Sequence, residues 1–429
     1  MQSPSPTQAN TSRISAFDSV VDRASPAVTS RRVAWWLTFV SLTSYLLSNK
    51  FGQPAMLLAL GPWLCYGLAY PARGAAWLVG APTAWVLPFF ALVSVLWSIE
   101  PDISLRLAVE FVVFTGVSIL MARAQDGGGF ISALMCALIV CVLASEFFGD
   151  TAAIGFTGEI ASIGLFGSKN NFAFVTCIMM LSSLSVVADR LQDARMRFLG
   201  VLGLLAAPLV LIKTISLGAL VSGSVGCVAL FSILVYSAVA PRWRGTFLAV
   251  LCCFGIVLGG FAAYAIAQGI NTDTLLVSLG KDPSLTGRTF LWARAESFIA
   301  ERPLLGVGYE AFWVQGHVEA EGLWRYADIG TRAGFHFHNL FFATAVELGY
   351  VGVAILAAQI SAVIVAVSLW SLRHPGPESA FFFGLLLFFL IRMSVELDFL
   401  GPFSYGALMI PATWVIATRA LGNRMWRPA

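Results

Sequence analysis

The sequence predicts an all-α protein that crosses a membrane many times. Of its 429 residues, 58% are hydrophobic and only 11% are charged, a composition far from that of soluble globular domains. Apolar runs of about 18 residues or more recur along the chain, and each is long enough to cross roughly 30 Å of hydrocarbon as a helix. Because a backbone in lipid must satisfy its own hydrogen bonds, we expect helices throughout.

The first 30 residues are rich in Ser, Thr, Ala and Pro and show no apolar periodicity, so we expect residues 1–30 to form a disordered cytoplasmic tail. Residues 31–429 are predicted to form one membrane-embedded domain. About twelve spans are placed near 33–48, 54–70, 75–97, 104–121, 130–149, 171–188, 198–213, 218–240, 246–268, 350–371, 379–397 and 403–420.

Arginine in the short loops indicates the orientation of these spans. With the N-terminus inside, the short Arg-bearing loops and the C-terminal tail all fall on the cytoplasmic side, as the positive-inside rule requires. The residues concerned are Arg73, Arg123, Arg190, Arg195, Arg197, Arg242, Arg244, Arg373, Arg424 and Arg427. Both termini are therefore predicted to be cytoplasmic.

One long polar interval, residues 269–337, is then predicted to be external, in the periplasm if the envelope has two membranes. It carries six basic and eight acidic side chains, which argues against nucleic acid as a partner. Apolar side chains recur at helical spacing within it, at Phe290, Leu291, Phe298 and Ile299. We therefore expect a short amphipathic helix lying on the outer membrane surface.

The apolar run after the interval is too long for one span. We interpret 339–348 as a short helix outside the membrane or at its interface, followed by a bend at 349–352 and then the span. The tryptophans Trp292, Trp313 and Trp324 are interpreted as interfacial anchors, with stacking on sugar rings as the alternative.

Three stretches carry a resemblance to a known family. They are Gly167–Asn171, then Gly287 through Arg302–Gly308 to Trp313, and His338–Asn339 followed by Gly349–Gly352. On these stretches the chain, from about residue 95 to its C-terminus, resembles the O-antigen ligase and polymerase superfamily. The last stretch is typical of the ligases, whereas the first two look more like the exopolysaccharide-polymerase branch.

The resemblance implies a metal-independent glycosyl transferase without a cofactor, acting at the outer face of the bacterial inner membrane. Its implied substrates are a polyprenyl-diphosphate-linked oligosaccharide and an acceptor glycolipid, with the lipid bilayer as its surroundings and polysaccharide-export or chain-length proteins as further partners. The acceptor distinguishes a polymerase from a ligase that uses lipid A core, and the sequence leaves this choice open. A transporter of lipid-linked oligosaccharide is disfavoured, since we see no repeats and most charges lie at the outer ends of the spans.

Such a transfer needs a base for the acceptor hydroxyl and a cation for the leaving diphosphate. His338 is our candidate for the base and Arg288 for the diphosphate contact. The plain alternatives are that His338 and Asn339 cap the following helix, and that Arg288 is a solvated charge or helix-start residue.

Six further residues are candidates for substrate binding: Lys169, Asn170, Lys213, Arg106, His336 and Asn339. Where the family usually has Ser-Arg or Ser-Lys, this chain has Ser216-Leu217, and Lys213 lies one helical turn earlier, where it can supply the missing cation. For Lys169 and Lys213 the alternative is snorkelling to the interface.

Two other arrangements are weighed. A metal site formed by His317, His336 and His338 is disfavoured, because no carboxylate lies at ligand spacing beside the pair. Arg392 and Glu396 are four residues apart, and we interpret them as a structural ion pair or as part of the acceptor cleft.

Overall fold

The computed structural model describes residues 31–153, 159–267, 287–332 and 335–425. The predicted tail 1–30, and residues 269–286 and 333–334 of the interval predicted to be external, lie outside the described residues. The described chain is mostly helical and contains almost no strand, so the all-α class is confirmed. The helices are α1 Arg31–Leu46, α2 Ser48–Phe51, α3 Gln53–Ala69, α4 Pro71–Val79, α5 Pro82–Val93, α6 Pro101–Ala124, α7 Gly127–Phe148, α8 Lys169–Ala188, α9 Ala194–Thr214, α10 Leu217–Ala238, α11 Arg244–Ala267, α12 Arg288–Glu301, α13 Val318–Tyr326, α14 Leu340–Arg373, α15 Pro377–Arg392 and α16 Tyr405–Met425.

A small antiparallel hairpin, which the sequence did not predict, interrupts the helices. Strand β1, Asp150–Ala153, pairs with β2, Ile160–Gly164, directly after α7. All four residues of β1 are exposed, so the hairpin lacks the alternation of apolar and polar residues that would have indicated it.

Six of the described helices are long and apolar enough to cross a membrane, namely α6, α7, α8, α9, α10 and α14. The pair formed by α3 and α4, which is bent by 110°, would add a seventh. The chain is therefore a multi-pass membrane protein. The count of twelve spans stays a prediction, since α1, α3 and α15 have only 16, 17 and 16 residues.

Prolines break the helices where the sequence predicted continuity. The run 75–97, placed as one span, is divided between α4 and α5, and this prediction is wrong. Ala81 precedes Pro82 and has φ −127°, ψ 54°, because a residue before proline is disfavoured from the helical region. Tyr70 before Pro71 adopts nearly the same conformation, and there the chain turns between α3 and α4.

Helix α8 lies in the interior of the bundle and contacts α7, α9, α10 and α15. Phe172, Phe174 and Leu181 along it are fully buried. On the other side, α6 packs against α5 and α16, and α14 packs against α5, α15 and α16. The N-terminus of α8 and the segments that precede α14 and follow α15 are thereby held close together.

Helix α14 is broken at Gly349, as the predicted bend requires. Gly349 has φ 64° and ψ −172°, which interrupts the hydrogen-bond ladder of the helix. The carbonyls of Val346 and Glu347, before the break, accept instead from the N–H groups of Val307 at 3.0 Å and Gly308 at 2.8 Å. The first half of α14 therefore ends on partners from another part of the chain.

The stretch that precedes Val307 also forms hydrogen bonds with the second half of α14. The N–H of Tyr350 donates to the Pro303 carbonyl at 2.8 Å, and that of Val351 to the Leu304 carbonyl at 3.2 Å. We call residues 302–308 the strap. Two stretches that are far apart in the sequence, Arg302–Gly308 and Gly349–Gly352, form one structural unit in which the strap replaces the hydrogen bonds that the break removes.

Glycine is required on both sides of this contact. A Cβ on Gly349 would lie 2.2 Å from the carbonyl carbon of Leu304, and one on Gly306 would lie 2.4 Å from that of Glu347. Both glycines also have positive φ, 64° and 68°, which disfavours any other residue.

The helix predicted around 290–300 is confirmed and corresponds to α12. Its predicted position on the membrane surface is not confirmed. Leu291, Phe298 and Ile299 are buried, and the helix packs against α14. Its apolar face therefore rests on protein. The anchoring interpretation is also wrong for Trp324, which is 2% exposed and packs against the ring of Trp313.

We predict that Gly349→Ala destabilises the protein by roughly 1–3 kcal/mol or more, because the new methyl group meets the strap and the residue must keep a positive φ. The midpoint of thermal unfolding in detergent measures the effect. Gly322→Ala is the matched control, since a Cβ on Gly322, in α13, would have no atom of the described residues within 4 Å. A Gly349→Ala protein as stable as the control variant would contradict the role of the strap.

Candidate functional site

The candidate site forms where the N-termini of α8, α12 and α14 approach the loop between α15 and α16. Its centre is the carboxylate of Glu396 in that loop, whose side chain is 13% exposed. One oxygen, Oε1, accepts from Arg288 Nη2 at 3.1 Å and from Asn170 Nδ2 at 3.2 Å. The other, Oε2, lies 3.4 Å from His338 Nδ1 and 3.9 Å from His336 Nε2. We call these five residues the Glu396 cluster.

The backbone around His338 is unusual and is held by several contacts. His338 has φ 52°, in the left-handed region, which costs a residue of this type of order 1–3 kcal/mol. Its N–H donates to His336 Nδ1 at 3.0 Å. The carbonyl of Phe337, just before it, accepts from Trp292 Nε1 at 2.9 Å. These contacts orient both imidazoles toward Glu396.

Asn339 caps helix α14. Capping was the structural alternative that the sequence offered for His338 and Asn339. Its Oδ1 accepts from the N–H groups of Phe341 and Phe342, and its Nδ2 donates to the Ser394 carbonyl at 3.0 Å. The carboxamide thus fixes the start of α14 and ties it to the loop that carries Glu396. Its predicted contact with substrate stays a prediction.

The hydrogen bonds assign the tautomers of the two histidines. Because His336 Nδ1 accepts the N–H of His338, a neutral His336 carries its proton on Nε2. His338 presents Nδ1 to the carboxylate of Glu396, an acceptor only, so that nitrogen carries the proton. The Nε2 of a neutral His338 is left with a lone pair that accepts a proton.

The electrostatic surroundings fix the charges at this centre. Burial lowers the pKa of His336 to about 3, and the charge of His338 adds to the effect, whereas Glu396 opposes it. Burial by itself would raise the pKa of Glu396. The hydrogen bond from His338, the charge that His338 carries when it is protonated, and the positive charges of Arg392 and Arg288 outweigh burial and lower that pKa to about 2. Near neutral pH, Glu396 is ionised and His336 is neutral.

Arg392 is paired with Asp398, so the interpretation of Arg392 and Glu396 as an ion pair is wrong. Arg392 Nε and Nη2 lie 2.5 Å and 3.1 Å from the two carboxylate oxygens of Asp398, and both side chains are buried. The backbone N–H of Glu396 donates to the Arg392 carbonyl at 2.8 Å. This bidentate pair fixes the loop on which Glu396 stands.

The structure places the other predicted residues at differing distances from the cluster. Asn170 belongs to it and also accepts from the Ser216 hydroxyl at 3.0 Å. Lys169 Nζ lies 3.5 Å from the Ile215 carbonyl. Lys213 pairs with Glu146, and Arg106 is exposed on α6. Within the described ranges, no contact joins Lys213 or Arg106 to the Glu396 cluster.

Comparison with known proteins identifies the family. A family model described as O-Antigen ligase matches residues 200–357. Over 383 residues the chain is 31% identical to the "Exopolysaccharide production protein ExoQ" of Rhizobium meliloti (strain 1021), an alignment that covers 86% of this chain and 85% of that protein. The chain belongs to the O-antigen ligase and exopolysaccharide polymerase superfamily.

Membership of this superfamily places the chain among membrane enzymes that polymerise or ligate polysaccharides, with lipid-linked glycans as the class of substrate. The family match includes Arg288, His336, His338 and Asn339 but ends before Glu396. Sequence reasoning had left Glu396 undecided between an ion pair and the acceptor cleft. The structure makes its carboxylate the common partner of both catalytic candidates.

In this member of the O-antigen ligase superfamily, His336, His338 and Glu396 also present ligand atoms within 4.8 Å of one another, so a metal site must be considered. The donor set fits poorly. With Nδ1 of His336 occupied by the N–H of His338, the ring proton lies on the Nε2 that faces the group, and a protonated nitrogen cannot bind a cation. The guanidinium of Arg288 on the same carboxylate also disfavours a second positive charge.

We predict that His336 makes the stability of the protein depend on pH. Its folded pKa, about 3, lies below the ordinary 6.5, so between these values the unfolded chain binds a proton that the folded chain does not. Stability from this source is therefore complete above pH 6.5 and falls as the pH is lowered toward 3.

The matched variant is His336→Asn, whose carboxamide oxygen can still accept the N–H of His338 but cannot titrate. The free energy of unfolding in detergent, measured between pH 7 and pH 5, should fall more for wild type than for the variant, by about 2 kcal/mol. Parallel curves for the two proteins would show that His336 does not titrate between the folded and unfolded states in this range.

Proposed function

We propose that this protein is a glycosyl transferase that polymerises exopolysaccharide or O-antigen repeat units from a polyprenyl-diphosphate-linked oligosaccharide. The observation that carries the proposal is the single carboxylate of Glu396, which contacts both His338 and Arg288. The 31% identity to an exopolysaccharide production protein supports exopolysaccharide as the product.

The proposed setting is the outer face of the bacterial inner membrane. We propose about twelve spans, cytoplasmic termini and a periplasmic interval 269–337. The arginines of the short loops support this orientation. Arg288 and His338 then lie on the periplasmic side, where the carrier lipid presents its glycan.

His338 is proposed as the general base. Its Nε2 takes the proton of an acceptor hydroxyl as that oxygen attacks the anomeric carbon of the donor. A bond forms between the acceptor oxygen and the anomeric carbon, and the bond from that carbon to the diphosphate breaks. The imidazolium that results is stabilised by the ionised Glu396 through Nδ1–H, the arrangement by which a carboxylate assists a catalytic histidine elsewhere.

Arg288 is proposed to stabilise the leaving polyprenyl diphosphate. Its contact with Glu396 uses Nη2, and guanidinium carries five N–H donors in all, so further donors remain for phosphate oxygens. Arg288 is also the first residue of α12, where the positive end of the helix dipole favours an anion. Lys169, Asn170 and Lys213 are proposed as further donors; Lys213 would have to leave Glu146 to take part.

The reaction is proposed to need no metal. The unfavourable donor set of His336, His338 and Glu396 supports this, since Arg288 already supplies the positive charge that an ion would bring. EDTA is therefore expected to leave the transfer rate unchanged.

A ligase that transfers the glycan to lipid A core is the second candidate. It is favoured by the match to the family model described as O-Antigen ligase and by the spacing of His338–Asn339 and Gly349–Gly352. A transporter of the lipid-linked oligosaccharide is the weaker alternative, because the cluster is an acid–base arrangement rather than a pathway through the bundle.

We predict that His338→Ala and Arg288→Ala each lower transfer at least 100-fold, because the first lacks the base and the second the cation for the leaving group. Purified protein in nanodiscs is incubated with polyprenyl-diphosphate oligosaccharide and EDTA, and a ladder of lengthened glycan is scored. Arg294→Ala, on the exposed side of the same helix, is the control and should retain activity. A fully active His338→Ala protein would exclude the proposed mechanism.

The same nanodisc assay identifies the acceptor. A His338-dependent ladder with the carrier-linked oligosaccharide alone is the result expected of a polymerase. A His338-dependent product that forms only after lipid A core is added would instead identify a ligase. Absence of product in both assays would contradict the proposed transfer.

A further inference from the structure

A polar cavity of about 210 Å³ opens beside the Glu396 cluster, with His336 and Glu396 in one wall. The opposite walls include Ser48 and Asn49 of α2 and Asn171 in the first turn of α8, together with residues 403–405 before and at the start of α16. The cavity is smaller than the roughly 300–1,000 Å³ of sites for drug-sized ligands. It suits a ligand of about one ring rather than an entire oligosaccharide repeat.

The cavity offers hydrogen-bonding groups that the protein leaves unused. Among the described residues, the side chains of Ser48 and Asn171 make no hydrogen bond to protein, although both line the cavity. Asn49 donates through Nδ2 to the Phe166 carbonyl at 3.3 Å, which leaves Oδ1 as an acceptor. A hydroxyl and two carboxamides provide both donors and acceptors, as a ligand with many hydroxyl groups requires.

The charges of the cavity argue against a diphosphate. Among the described residues that line it there is no Lys or Arg, and its two carboxylates, Glu396 and Asp398, are already paired with Arg288 and Arg392. A phosphate would lack a cation here and would face two anionic groups. A neutral ligand meets no such penalty, and the paired carboxylates can still accept hydrogen bonds from its hydroxyl groups.

The position of the cavity indicates which substrate it holds. Arg288 contacts Oε1 of Glu396, whereas the histidines face Oε2 and His336 reaches the cavity. His336, which lines the cavity, faces the carboxylate oxygen that Arg288 does not contact, and its ring centroid lies 4.2 Å from that of His338. Resting on the transferase function proposed above, we propose that this cavity is the subsite for the terminal neutral sugar ring of the acceptor, held by Ser48, Asn49 and Asn171 with a hydroxyl directed toward His338.

The test separates the acceptor from the donor. The acceptor probe is the repeat oligosaccharide carried on a simple alkyl chain, which lacks a diphosphate and so cannot act as donor; the polyprenyl-diphosphate oligosaccharide is the donor. Asn171→Ala and Ser48→Ala are each expected to raise the KM for the alkyl glycoside about tenfold, since each loses a hydrogen bond to the ring. The kcat and the KM for the donor should stay within about twofold of wild type.

Lys50→Gln is the matched control, because Lys50 adjoins Asn49 in the chain but pairs with Asp150 and does not line the cavity. Size-exclusion profiles establish whether each variant is folded. If Asn171→Ala does not fold, the test is made with Ser48→Ala, which is the smaller change. Unchanged KM values in both variants of an active enzyme would overturn the subsite. A rise in the KM for the donor alone would also overturn it, by assigning the cavity to the donor glycan.

A binding measurement distinguishes failure of the subsite from failure of the proposed function. If wild type transfers no sugar to either acceptor, saturation-transfer NMR is recorded with the alkyl glycoside on nanodisc-embedded wild type and Asn171→Ala. Binding to wild type that is lost in Asn171→Ala would support a sugar site in a protein of another activity. Equal binding to both, or binding to neither, would overturn the sugar site as well.

Discussion

The carboxylate of Glu396 is the constraint on which the candidate site depends. It is largely buried, and burial alone would disfavour its charge, yet the hydrogen bond from His338 and the nearby positive charges keep its pKa at about 2. The attraction of its partners therefore exceeds the cost of removing it from water. Because Oε1 and Oε2 bind different partners, one ionised group sets the spacing between Arg288 and His338 and fixes the tautomer on which the proposed base depends.

The fold delivers these two residues through helix ends. Arg288 begins α12 and His338 immediately precedes the Asn339 cap of α14. The opposite end of α12 leads into the strap, and the strap is hydrogen-bonded to α14 at its Gly349 break. The helical segments that start at the site are thus joined to each other beyond it, so the hydrogen bonds at Gly349 also restrain the geometry at Glu396. The pair of Arg392 with Asp398 restrains the third segment, the loop that carries Glu396.

The helical fold followed from hydrophobicity. The resemblance indicated His338, Arg288 and Asn170, and the spacing of two residues from His338 indicated His336. Spacing along the sequence did not predict that Glu396 contacts both His338 and Arg288. Glu396 lies 58 residues after His338 and 108 after Arg288, so only tertiary packing joins them. Spacing of four suggested Arg392 with Glu396, but the guanidinium of Arg392 is bound by Asp398, two residues beyond Glu396. The sequence disfavoured a metal site at the histidines because no carboxylate lies near them in the chain. Glu396 supplies that carboxylate in the fold, but the tautomer of His336 disfavours an ion there.

The central claim is that Glu396 acts through His338, and a double-mutant cycle on the transfer rate tests it most directly. Glu396→Gln, His338→Ala and the double variant are compared with wild type under single-turnover conditions. Residues that act as a unit are not additive. The account predicts that Glu396→Gln lowers the rate about 100-fold or more and that adding it to His338→Ala has little further effect. Independent losses that multiply in the double variant would contradict it.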